Sequence, residues 1–199
     1  MTLFFLVLVL FLIMDPFGNA KSFVTYLEGI KPQRQRFIIF REMLIALFLM
    51  VVFSFLGEKI FSILGVSSVT QYLASGVILF LVAIKIIFPK AKEPLEPRLL
   101  TPEPFLVPFA VPMIAGPALL ATIMVYASTE PSIGIMLAGI FIAWALTALV
   151  LLSSPFLIRI VGNSGLIACE RLMGMVLVLL AVQRFLEGVI LFNSNAASS

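Results

Sequence analysis

The sequence predicts an all-α membrane protein of six transmembrane helices, built as two inverted three-helix repeats with helices 1 and 4 broken near the midplane. Three observations lead there. Of 199 residues, 62% are hydrophobic and only 12% charged, far from the balance of a water-soluble domain. The apolar residues gather into six runs, at 3–26, 41–61, 71–88, 105–127, 132–157 and 172–192. A bilayer requires about 20 such residues per helix, so the runs use up nearly the whole chain. Two of them are interrupted alike, 98 positions apart, at Met14-Asp15-Pro16-Phe17-Gly18-Asn19-Ala20 and Pro112-Met113-Ile114-Ala115-Gly116-Pro117-Ala118.

The first run has no basic flank and no A-x-A-like cleavage site after it, so it reads as a retained span rather than a signal peptide. Proline removes a backbone donor and glycine admits unusual backbone angles, which opens the helix at 15–18. In lipid such an opening survives only where protein or a water-filled cavity covers it. The second and third runs are plain spans, the third opening with small residues at Ser75-Gly76. Residues 89–104 hold Lys90, Lys92, Glu93, Glu96, Arg98, Glu103 and five prolines, a polar extended linker. The fourth run carries the second break. The fifth repeats Gly139, Ala143 and Thr147 every four residues, a face that lets another helix come close. Trp144 lies mid-span and is expected in the core. The organisation is therefore a first repeat at 1–88, a cytoplasmic linker at 89–104, a second repeat at 105–192 and a short polar tail at 193–199.

The basic residues orient the chain. Nine lie on one side, at Lys31, Arg34, Arg36, Arg41, Lys90, Lys92, Arg98, Arg159 and Arg171, against Lys59 on the other; Lys21, Lys85 and Arg184 fall within spans. The positive-inside rule puts the first, third and fifth loops in the cytoplasm and both termini outside. Other functions are excluded by composition. With no histidine and one cysteine, Cys169, the chain can form neither a redox thiol pair nor a Cys/His metal cage, and no cofactor or metal is expected. An intramembrane enzyme is disfavoured by the lack of histidine and of a paired-carboxylate motif. The net charge of +3 sits at span ends and does not signal nucleic acid. The expected partners are the lipid bilayer and a small-molecule solute, and a homo-oligomer is left open.

The halves correspond internally. An offset of 98 matches Gly18 with Gly116, Ala20 with Ala118, Gly76 with Gly174 and Ala83 with Ala181; an offset of 97 matches Leu64-Gly65 with Val161-Gly162. Three spans per half means that the halves enter the membrane in opposite directions.

Paired interruptions in two such halves point to a transporter's binding site. Asp15 is the leading candidate, since a carboxylate that deep in an apolar run is costly. It also has a purely structural reading, as the N-cap of a half-helix starting at Pro16. Gly18 allows close approach, Asn19 adds a donor and an acceptor, and Lys21 can neutralise Asp15. From the second break come Gly116, Pro117 and, one turn on, Thr122. Arg41-Glu42 and Glu170-Arg171 read as interfacial pairs, and Arg184 with Glu187 as an ion pair on one helix face.

On these residues the chain resembles the MarC family of bacterial integral membrane proteins. Asp15-Pro16-Phe17-Gly18-Asn19 is similar to the family's D/N-P-x-G-N signature, and Val111–Pro117 to its P-L-x-A-G-P segment. Leu64-Gly65-Val66-Ser67, Ser75-Gly76-Val77-Ile78-Leu79-Phe80 and Glu170-Arg171-Leu172-Met173-Gly174 follow in the family's order. Lys21 stands where the family pattern has proline, and Leu119 where it has glycine. The resemblance implies six spans in a bacterial inner membrane and a distant kinship with the LysE superfamily of small-solute exporters. The expectation is a secondary transporter exporting a small polar or zwitterionic solute past Asp15 and Asn19, with a proton cycle through Asp15. The alternative is a scaffold or partner subunit that transports nothing.

Overall fold

The computed structural model describes residues 3–26, 31–88, 114–129 and 132–197. The linker 89–104 and Pro112 and Met113 of the second break lie outside these residues. Among the described residues seven helices form: α1 Leu3–Met14, α2 Pro16–Tyr26, α3 Pro32–Leu64, α4 Ser68–Ile87, α5 Pro117–Thr129, α6 Ile133–Leu152 and α7 Ser154–Ala197. Among the described residues no strand occurs.

Local chemistry sets the ends. Pro32 starts α3, its fixed φ suiting the first turn, and Gly65 ends it in the left-handed conformation at φ 64°. The Val66 amide then donates to the Phe61 carbonyl at 3.1 Å. Ser67 caps α4 by accepting from the Thr70 amide, and Ser132 caps α6 by accepting from that of Ile135. The fifth run was expected to reach 157, but the helix stops at Leu152 and the chain turns at Ser153 into α7. The sixth was expected to begin at 172; α7 begins at Ser154 and is bent at Gly162, φ 71°. Apolar length alone misplaced both limits, because the turn at Ser153 and the bend at Gly162 fall where hydropathy gives no mark.

Packing follows the small residues. α4 and α7 share the most extensive contact, α1 lies on α6, and α3 lies on both α5 and α6. A side chain at Gly139 would run into Leu6, so this glycine sets how close α1 comes to α6; Ala143 and Thr147 on the same face are buried. Trp144 is half-buried, and its indole N–H donates to the Met43 carbonyl at 2.7 Å, pinning α6 to α3. Trp144→Phe removes that bond while keeping most of the ring. It is expected to cost about 1 kcal/mol, read by thermal unfolding of the purified protein.

Large apolar side chains cover the outside, among them Phe48, Ile63, Leu149, Leu179 and Ile190. In water such a surface would be untenable; in lipid it is the expected exterior. Among the described residues five stretches are long and apolar enough to cross a membrane, α1 and α2 taken together, α3, α4, α6 and α7, and α5 is a shorter apolar helix. The chain is an all-helical, multi-span membrane protein.

Candidate functional site

The interruption of the first span is a single residue wide. α1 ends at Met14 and α2 begins at Pro16, with Asp15 between them at φ 43°, a conformation that Asp tolerates better than most residues. Side chains replace the backbone bonds lost there. The Gly18 amide donates to Asp15 Oδ1 at 3.1 Å, capping α2. The Asn19 side-chain amide donates to the Met14 carbonyl at 2.7 Å, capping the end of α1. The capping role of Asp15 is therefore present in the structure.

Gly18 reveals the next member. A Cβ there would collide with Asp15 Oδ2 and stand 2.7 Å from Glu170 Oε1 of α7. Two carboxyl groups, one from the interruption and one from α7, thus converge on Gly18, which has no side chain. Lys21 is half-buried one turn along α2. Among the described residues no group of three or more His, Cys, Asp or Glu side chains is arranged to hold a metal ion.

The second segment contributes backbone and packing. Ile114 and Ala115 are buried in the same core as Met14, so the two interrupted stretches meet one continuous interior. The Gly116 carbonyl accepts from the Leu120 amide at 3.1 Å, and Pro117, exposed, opens α5. Thr122 is fully buried, but its hydroxyl donates to Ala118 of its own helix at 2.8 Å. The group brought to Asp15 and Gly18 is Glu170. Sequence reasoning had assigned Glu170 to the cytoplasmic interface and counted one carboxylate at the site.

A second polar cluster joins four helices elsewhere. Arg184 of α7, 5% exposed, donates through Nε to the Tyr126 hydroxyl at 3.1 Å and pairs through Nη1 with Glu187 at 3.1 Å. Its guanidinium lies 4.3, 4.9 and 5.8 Å from the ring centres of Tyr126, Tyr72 and Phe5. Nearby on the same helix pair, the Ser128 hydroxyl of α5 donates to Gln71 of α4 at 2.8 Å. The expected pairing with Glu187 is present; the aromatic cage was not foreseen.

The fold and these intramembrane polar groups define a multi-span integral membrane protein with an interrupted first helix. Comparison with known families is then specific: residues 1–192 match the model of the MarC family integral membrane proteins, and the chain belongs to that family. It is 44% identical over 181 residues to the UPF0056 inner membrane protein YhgN of Escherichia coli strain K12, covering 90% of this chain and 92% of the relative. A UPF0056 membrane protein of Buchnera aphidicola subsp. Baizongia pistaciae is 44% identical over 185 residues, covering 92% and 93%. One of Chlamydia pneumoniae is 34% identical over 188 residues, covering 94% and 93%. No solved structure matches the chain.

Proposed function

We propose that this protein is a secondary transporter of the bacterial inner membrane that exports a small polar or zwitterionic solute, with both termini on the periplasmic side. The observation that carries the reading is the convergence of Asp15 and Glu170 on Gly18, at the interruption of an apolar span. Two carboxyl groups facing each other repel when both are charged, so the pair favours a proton or a cationic group nearby, whether Lys21 of α2 or the ammonium of a solute. A solute carrying an ammonium group meets that need, and exchange of proton for solute at one site gives a coupled cycle.

The two-repeat architecture is part of the proposal, and two contacts and one shared backbone conformation support it. Gly76 lies against the Ala181 carbonyl at 3.0 Å and Gly174 against the Ala83 carbonyl at 3.4 Å, distances taken from where a Cβ would stand. Gly76 corresponds to Gly174 and Ala83 to Ala181, so the contacts are reciprocal, as a twofold relation between halves requires. Gly65 and Gly162, also a matched pair, both adopt positive φ. In this arrangement the second interruption, around Gly116 and Pro117, completes the site from the other half.

Water access tests the reading. Asn19→Cys and Glu170→Cys, each in a Cys169→Ser background, are expected to react with a membrane-impermeant thiol reagent from one side of the membrane, at rates altered by candidate amino-group solutes. Absence of labelling from both sides would replace transport with a scaffolding role.

A further inference from the structure

We propose that the outward face of α3, at its N-terminal end, binds an anionic phospholipid. Gln33, Arg34 and Arg36 hold the phosphate, and one acyl chain lies along Phe37, Phe40, Leu44 and Phe48. All seven residues are exposed, the four apolar ones by 44–66%. Ile38, Ile39 and Met43, on the other side of the same turns, are buried in the core. At about 100° per residue the four apolar positions fall on one stripe. Gln33 stands above that stripe, with Arg34 and Arg36 about 80° to either side of it. Arg34 precedes Phe37 by three positions and Arg36 precedes Phe40 by four, the spacings that make neighbours on a helix surface.

Charge and length select the occupant. Arg41, the next basic residue of α3, is already paired with Glu42. Among the described residues neither Arg34 nor Arg36 is paired with a carboxylate. Guanidinium groups offer planar, forked donors that match phosphate oxygens. A phosphatidylglycerol-type headgroup carries one negative charge and brings no cation, whereas a zwitterionic headgroup would set its own ammonium beside two arginines. The stripe rises about 16 Å from Phe37 to Phe48, close to the roughly 15 Å that the chains of one leaflet occupy. A free phosphate ion would use the polar crown and leave the stripe idle; a lipid uses both. The surface depends neither on the transport reading nor on which side of the membrane the termini lie.

The test reconstitutes the full-length protein in vesicles of equal phosphatidylglycerol and phosphatidylcholine, releases it in mild detergent and weighs it with its retained lipid by native mass spectrometry. Phosphatidylglycerol is expected to be retained in preference. Arg34→Gln and Arg36→Gln are each expected to weaken that retention about fivefold. Arg159→Gln, which removes an exposed positive charge from α7, is expected to leave it unchanged. Thermal unfolding in the same detergent checks that each variant is folded, and either arginine variant alone decides if the other does not fold. Equal weakening in all three variants would overturn the proposal, because it would mean a diffuse attraction to basic surface. Undiminished retention in folded Arg34→Gln or Arg36→Gln, displacement of the lipid by inorganic phosphate, or a protein dimer that excludes lipid from this face would overturn it equally.

Discussion

Arg184→Leu is expected to destabilise the protein by about 3 kcal/mol. The side chain ties α7 to α5 by a hydrogen bond to Tyr126, and its cationic plane is enclosed by rings from α1, α4 and α5. Leucine restores some apolar contact but leaves the buried Tyr126 hydroxyl without this donor and removes the ring–cation attraction, worth up to about 2 kcal/mol when desolvated. Glu187 is 38% exposed at its side chain, so losing its partner adds little. Arg184→Lys keeps the charge but not the flat donor face and is expected to fall between the two. Thermal unfolding in detergent gives the order. A cycle of Arg184→Lys, Tyr126→Phe and the double variant isolates the pair, and additive losses would show that the cage contributes packing alone.

The glycines between α4 and α7 give the second large effect, with a contrast built in. A methyl group on Gly76 would stand 2.8 Å from the Phe185 amide nitrogen and 3.0 Å from the Ala181 carbonyl, both backbone atoms of α7. Backbone cannot step aside, so the helices must separate, and Gly76→Ala is expected to cost about 2–3 kcal/mol. At Gly174 the nearest atoms are side-chain carbons of Ile87 and Ile86, at 2.7 and 3.0 Å, which can turn away. Alanine there also gains helix propensity, by about 1 kcal/mol over glycine, so Gly174→Ala is expected to be nearly neutral. Equal losses at both positions, measured by thermal unfolding, would mean that the α4–α7 contact is looser than its geometry.

The spans and the first interruption were legible because their causes are local. Apolar runs, Asp before Pro, and a glycine three residues on need no knowledge of the fold, and the cap from Asp15 to Gly18 forms within one turn. Glu170 was hidden because its approach to Gly18 is tertiary: α7 packs on α2, and no spacing in the sequence relates the two. The cage around Arg184 had no sequence signature at all, since Phe5, Tyr72 and Tyr126 come from three other helices and no spacing relates them.

The interruption at Asp15 is wired shut by its own side chains. Asp15 holds one end and Asn19 the other, so the two half-helices are joined by bonds that a passing ligand would itself want to make. On the transport reading, a solute entering there would trade bonds instead of adding them. Its net affinity would be the small difference between two similar sets, and each trade would loosen the joint between α1 and α2. Weak binding and an unlocked hinge would then be one event: the molecule that fits the gap is also the one that frees it to bend.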